Sequence, residues 1–212
     1  MINHIDLSSV LRRTVCDLYS DLVTRPTGAA VRNGIERQLA ELGDRTLTVI
    51  DFSHVGLLDY SCADEIVAKL LMRYTMADAA DAADAADVAN AAEVADATDA
   101  AVAAEPPPRD AYFLFRGVSE SHLDAIETVL DRQALAIVAQ ATDGVVMLVG
   151  RVDDSERRAW EVMYRLGRAV PAELAREAGV DVPQATEWLN GLCRRRLAMR
   201  FEESYVAVGG TT

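Results

Sequence analysis

The sequence predicts an α/β protein followed by a smaller helical unit, and three observations lead there. An apolar, β-branched run at 47–51 passes through a loop into a helical run at 63–74, the strand–loop–helix order of α/β domains. A strand, a helix and two further strands then recur between 111 and 149. From 155 onward the pattern changes to three short helices and two alternating strands. The expected division is 1–150 and 151–212, with a low-complexity insertion at 76–110 inside the first part.

Each element has its own signal. Leu7, Leu11, Leu18 and Leu22 lie four or seven residues apart, which predicts a helix over 7–21 with Ser8 as a possible cap. A short strand at 15–19 is the alternative. Thr24 caps a second helix that runs to Leu42, with Pro26 in its first turn and Gly43 ending it. Its apolar face is Ala30, Val31, Ile35, Leu39 and Leu42. Arg25 and Arg32 stand near its start, where the dipole does not favour cations. Solvation explains them, as does a surface that grips an anionic ligand or partner.

Residues 77–104 are almost entirely Ala and Asp. Aspartates at 78, 81, 84 and 87 keep a three-residue period, which drifts around a 3.6-residue helix and leaves no continuous apolar face. Alanine favours helix but buries little area. The tract therefore reads as a frayed or disordered insertion ending at Pro106-Pro107-Pro108. Order resumes with a strand at 111–115 and a helix at 120–132 capped by Ser119. Two strands, 135–139 and 145–149, join around Asp143-Gly144, a hairpin-turn signal.

The chemistry concentrates in Asp51-Phe52-Ser53 and Asp59-Tyr60-Ser61-Cys62-Ala63-Asp64-Glu65. Ser61 falls where a helix start directs unpaired N–H groups and positive dipole toward an anion. A phosphate on its hydroxyl would meet those donors and repel Asp59 and Asp64, a charge switch. The alternative is that Asp59 or Ser61 only caps the helix.

These residues resemble the STAS domain (sulfate transporter and anti-sigma factor antagonist), in its divergent, antagonist-like form. Asp51 and Ser53 match the strand-end D-x-S, Asp59 the second aspartate and Ser61 the phosphoacceptor. The chain departs from the family at Cys62, where glycine is usual, and at Tyr60. The resemblance spans about 10–150, with its specific motif confined to 51–65. It implies an interface for a regulatory protein partner built from Asp51, Ser53, Asp59, Cys62, Asp64 and Arg25. It also implies that the partner is an ATP-binding, kinase or anti-sigma-like protein that phosphorylates Ser61.

In the C-terminal unit a helix opens near Ser155, which reads as its cap. A short helix, 171–178, ends at Gly179, and a third spans 183–196 after Asp181. Ala175 and Gly179 are the packing-and-turn pair of a helix-turn-helix, and two strands at 197–201 and 205–208 follow. This stretch resembles a winged helix-turn-helix domain. Ala185, Trp188, Leu189 and Leu192 are expected inside, with Gln184, Glu187, Gly191, Arg194 and Arg195 outward. Gln184, Arg194 and Arg195 are the candidate nucleic-acid contacts. Glu187 and the Glu202-Glu203 turn would repel a phosphate backbone, so docking to protein stands beside DNA binding.

Composition bounds the rest. The net charge is −13 over 212 residues. The 76–110 tract has nine acidic residues against one arginine, whereas 151–212 has ten of each sign. Bulk electrostatics therefore exclude a non-specific nucleic-acid binder. No apolar run reaches a membrane span, and no basic segment precedes an apolar one at the start. Cys16, Cys62 and Cys193 are scattered, which fits a reducing cytoplasm. No metal or cofactor motif is found. Cys62 at a helix start invites a nucleophile reading, but His54 has no third group to orient it, so an enzyme is not expected.

The functional expectation is a cytoplasmic bacterial regulator. Its STAS-like domain receives a signal and its winged helix acts on DNA or protein. A non-switching scaffold is one alternative. The other is a sensor in which Arg25, Ser61 and the helix start hold a small anion. Deleting 77–104 is expected to leave cooperative thermal unfolding intact, because the tract offers little beyond alanine methyls to bury. A scanning-calorimetry trace that loses its single sharp transition would show that the tract packs into the fold.

Overall fold

The computed structural model describes residues 2–14, 20–42, 45–74 and 111–210. Their fold is mixed α/β, centred on a five-stranded sheet. In chain order the elements of the first part are β1 (Ile2–Asp6), α1 (Leu7–Thr14), α2 (Arg25–Ala40), β2 (Thr46–Asp51), α3 (Tyr60–Ala63), β3 (Ala111–Val118), α4 (Glu120–Gln133), β4 (Ala136–Ala141) and β5 (Val146–Gly150). Past Ala63 the helix changes winding and runs as a π-helix over Asp64–Lys69, then stays helical through 70–74. The second part contains α5 (Asp154–Leu166), α6 (Pro171–Ala178), α7 (Val182–Arg194) and the hairpin β6 (Ala198–Phe201) and β7 (Ser204–Ala207).

The sheet order is β1-β2-β3-β4-β5. The first four strands are parallel and β5 turns back antiparallel through Asp143-Gly144. Consecutive parallel strands joined by right-handed crossovers bring their helices to one face. That face is one cluster. Ile50, Phe113, Phe115, Ile137 and Val149 meet Leu7, Leu11, Val31, Ile35, Leu39, Ile66, Leu70, Ile126 and Leu130.

The opposite face is equally apolar. Leu47, Val49, Tyr112, Leu114, Ala136, Val138 and Leu148 alternate with the first set at the period of two that a pleat imposes. They share a second cluster with Trp160 and Met163 of α5, Leu174 of α6, Leu189 and Leu192 of α7, and Leu197, Met199 and Val206 of the hairpin region. Arg196 lies over the Tyr112 ring, its guanidinium 5.2 Å from the centroid. The boundary near 150 is a change of element type, and the apolar packing crosses it.

Several local expectations are corrected. The first helix is described over Leu7–Thr14 and does not extend to Asp21, since Ser20 and Asp21 are not helical. The alternative strand at 15–19, the Gly43 stop and the 76–110 insertion lie outside the described residues. Strand β1 is absent from the sequence-based reading. Its residues Asn3, His4 and Asp6 are polar because β1 is a sheet edge, buried only at Ile5. Asp6, not Ser8, serves the start of α1, its carboxylate accepting from the Ser8 backbone N–H and from the Ser8 and Ser9 hydroxyls. Asp153, not Ser155, caps α5 by accepting from the Glu156 N–H. Gly191 is buried rather than outward, and Trp188 is only partly covered.

Each large apolar side chain taken from water contributes about 1.5–3 kcal/mol. Six of the seven outer-face residues are larger than alanine, so uncovering them costs about 9–18 kcal/mol, comparable to a domain's usual margin of ~5–15 kcal/mol. A fragment ending at residue 150 is therefore expected to lose cooperative unfolding and to bind a hydrophobic dye such as ANS. A fragment that melts sharply and binds no dye would show that the outer face tolerates water.

Candidate functional site

The candidate site forms at the carboxyl end of β2, where the chain leaves the sheet and enters α3. Asp51 ends the strand half-covered. Burial alone would raise its pKa, but the hydrogen bonds from Ser53 and Arg116 outweigh that and hold it below the usual carboxylate value. The Ser53 N–H donates to Asp51 Oδ1 at 2.9 Å and Arg116 Nη2 donates to Oδ2 at 2.5 Å. Ser53 itself is exposed, and a Cβ on Gly117 (φ +69°) would collide with its Oγ. The strand end is thus fixed by β3.

The loop from Phe52 to Asp59 is tied down from two sides. Leu22 pairs with Leu58 as an isolated parallel bridge, and Asp21 Oδ1 accepts from the Leu57 N–H at 3.1 Å. His122 of α4, buried to 2% exposure, spans the other side. Its Nδ1 accepts from the Ser119 N–H and its Nε2 donates to the Gly56 carbonyl, both at 3.3 Å. This is the neutral tautomer, and burial lowers the ring's pKa below 6.5. Sequence reading passed over His122, since its role depends on a carbonyl 66 positions away. The only local signal is its place three residues after the Ser119 cap.

Asp59 is the cap of α3. Its Oδ2 accepts from the Ser61 N–H at 2.9 Å and the Ser61 hydroxyl at 2.7 Å, which lowers its pKa. Ser61 is partly exposed and is not itself the cap. Tyr60 beside it accepts at its hydroxyl from Arg132 Nη1 at 2.8 Å.

The next residues turn inward. Cys62 is fully buried, its Sγ donates to the Thr24 carbonyl at 2.9 Å, and burial raises its thiol pKa. A Cβ placed on Gly28 would stand 2.9 Å from Cys62 Cα, so α2 and α3 touch almost backbone to backbone. That contact explains why a small residue stands at each position. Asp64 and Glu65 are buried carboxylates, at 8% and 2% exposure. Arg25 Nη1 donates to both, each at 2.8 Å. Lys69 Nζ reaches Glu65 Oε1 at 2.6 Å, and Arg32 Nε lies 3.6 Å from Oε2. Arg25 and Arg32 are therefore neither simply solvated nor poorly placed, because their counter-charges come from α3 and its π-helical extension.

The structure thus gathers Asp59, Ser61, Cys62, Asp64 and Arg25 along the α2–α3 contact, with Asp51 and Ser53 at the strand end that feeds it. Gln184, Arg194 and Arg195 are elsewhere, on α7 and its C-cap. Gln184 and Arg194 are exposed. Arg195 is committed within the protein, donating to Glu156 Oε2 at 2.6 Å and to the Arg151 carbonyl. That use removes it from the outward set. Among the described residues no cluster of His, Cys, Asp and Glu could hold a metal, and no helix is long and apolar enough to cross a membrane.

No protein-family model, curated protein or solved structure matches the chain.

The His122 clamp carries a pH signature. A histidine whose pKa is depressed by folding takes up protons more readily when unfolded, so stability falls as pH drops below 6.5. Chemical denaturation at pH 7 and pH 5.5 is expected to show a lower midpoint at the acid value. The dependence should flatten in His122→Gln, and an equal drop in both proteins would assign it to other groups.

Proposed function

We propose that this chain is a bacterial regulatory protein whose α/β part is a STAS-like receiver. Its C-terminal part, read as a winged helix, passes the signal to DNA or to another protein. The observation that carries the reading is Ser61. It opens α3 partly exposed, with its hydroxyl resting on Asp59 and its neighbours on both sides anchored. Val23 and Leu57, 44% and 57% exposed, stand at the same end of the sheet, as the Leu22–Leu58 bridge requires. An exposed hydroxyl beside exposed apolar side chains suits a surface read by a protein partner.

Phosphorylation there would act through charge. The modified oxygen can no longer donate to Asp59, and about −1.5 to −2 charges would stand beside that carboxylate. The α3 N-terminus offsets part of this, by roughly 0.3–1 kcal/mol at an exposed position. Arg132, which donates to the hydroxyl of the adjacent Tyr60, carries a positive charge that makes no ion pair with a carboxylate among the described residues. A partner seated on Ser61 would meet new charge and bulk, while the buried Cys62, Asp64 and Glu65 would keep the helix in place. Under this reading the kinase belongs to the partner, and the chain supplies the acceptor.

The anion-sensor alternative gains less support, since Arg25 is already held by Asp64 and Glu65. A non-switching scaffold would use the same surface without the chemistry.

Ser61→Asp is expected to weaken capture of the partner at least tenfold. Its melting temperature should move by no more than about 2–4 °C, the shift that ~1 kcal/mol produces at this size. Ser61→Ala should keep binding and take no label from radioactive ATP in the presence of the partner. If Ser61→Asp unfolds the chain, or binds as well as the parent, the switch is refuted.

A further inference from the structure

Strand β5 ends the sheet on the side away from β1, and its outer edge is bare among the described residues. In an antiparallel pair, residues bonded to the partner strand alternate with residues whose N–H and C=O face away. The Val145 carbonyl accepts from the Ala141 N–H, and the Arg151 N–H donates to the Leu135 carbonyl. Val145 and Arg151 therefore face β4, and at alternate positions so do Met147 and Val149. Val146 and Leu148 fall between them and present their backbone groups outward. Among the described residues, the one hydrogen bond to those groups runs from Arg157 Nη1 to the Leu148 carbonyl, at 3.4 Å. The strand also lacks the usual protections of an edge, since Val146–Gly150 holds no charged residue and no proline. The opposite edge, β1, carries Asn3, His4 and Asp6.

Beside this edge, β5 and α5 bound an open-sided cleft of about 230 Å³. Val146 and Leu148 stand on one wall, with Arg157, Trp160, Glu161 and Tyr164 on the other. Tyr164 stacks on Trp160 with ring centroids 5.0 Å apart, yet it stays 37% exposed. Arg157 and Glu161 both line the cleft, and among the described residues neither makes an ion pair. Their spacing follows that of the strand. From Arg157 to Glu161 a helix advances about 6 Å, and from Leu148 to Val146 a strand advances about 7 Å. Arg157, bonded to Leu148, thus stands level with one outward residue and Glu161 with the other, Val146.

That order of charges selects the occupant. A second copy of the chain, turned about a two-fold axis at Met147, sets its Val146 opposite Leu148 and its Leu148 opposite Val146. The outward N–H and C=O groups of both edges then satisfy one another. The same rotation carries each copy's Glu161 toward the other's Arg157. One axis matches the backbone groups and both charges together, whereas a partner of a single charge would leave Arg157 or Glu161 unmatched. We propose that β5 and α5 form an isologous dimer interface, in which two copies join edge to edge into one continuous sheet and Arg157 of each pairs with Glu161 of the other. The interface goes beyond the regulatory reading and does not depend on modification of Ser61.

Sedimentation equilibrium of the full chain, which reads mass independently of shape, is expected to give twice the chain mass of 23.0 kDa. Val146→Pro removes an outward N–H and no bond to β4, so it should weaken association about tenfold or more while the fold persists. Arg157→Glu and Glu161→Arg, each alone, set like charges against one another at both contacts and should also weaken it about tenfold or more. The exchange Arg157→Glu/Glu161→Arg restores opposite charges and should bring the dissociation constant back to within about threefold of the parent. Circular dichroism melts confirm that each variant is folded, and the exposed Glu161 keeps the test open if Val146→Pro does not fold. A parent that stays monomeric up to about 100 μM overturns the interface. So does a dimer that Val146→Pro and both reversals leave unchanged, since association then uses another surface. Reversals that weaken the dimer without rescue by the exchange overturn the pairing of Arg157 with Glu161.

Discussion

A sheet with two apolar faces governs this molecule. Parallel strands in consecutive order send every crossover helix to one side, so α1 to α4 cover only half of what β2, β3 and β4 expose. The other half must be covered by something later in the chain. Helix α5 and the β6–β7 hairpin do this through Trp160, Met163, Leu197 and Val206. The C-terminal part is thereby structural for the α/β part, whatever else it does, and its own apolar residues have the sheet as their second wall.

The candidate site depends on a second close contact. Gly28 against Cys62 lets α2 approach α3 until Arg25 and Arg32 reach the carboxylates of Asp64 and Glu65. A buried carboxylate is tolerated only when paired, and removing one partner of such a pair typically costs about 3–5 kcal/mol. The charges therefore work as a register: they hold the α3 start, and with it Ser61, in one position relative to α2. The surface above is exposed, and the carboxylates beneath it are buried.

Much of the fold was legible in the sequence because periodicity and caps are local. Thr24, Ser119 and Asp181 start helices where their side chains can accept a backbone N–H, and Gly179 ends α6 in a left-handed turn. Strand β1 was not legible, since an edge strand with Asn3 and His4 carries no alternation to detect. Neither were the long-range partnerships. Arg25 with Glu65, Arg195 with Glu156 and His122 with Gly56 join residues about 40 to 66 positions apart, and no spacing rule announces them. Asp59 and Ser61 stand out in the sequence as a pair, yet which of them caps the helix depends on backbone geometry that puts Asp59 Oδ2 against the Ser61 N–H.

The π-helical stretch at Asp64–Lys69 has a consequence for how this segment tolerates change. Such a stretch fits one more residue into a turn than an α-helix does. An α-helix advances about 100° per residue, so loss of one residue from a regular helix swings everything after it by about that angle. The wider π winding already holds the extra residue, and rewinding it to α with one residue fewer sweeps nearly the same total angle. Arg73 would stay with Glu36 and Tyr74 at the edge of Phe113. This short segment is thus the one place in the helix where a single residue can be lost without turning the residues that follow.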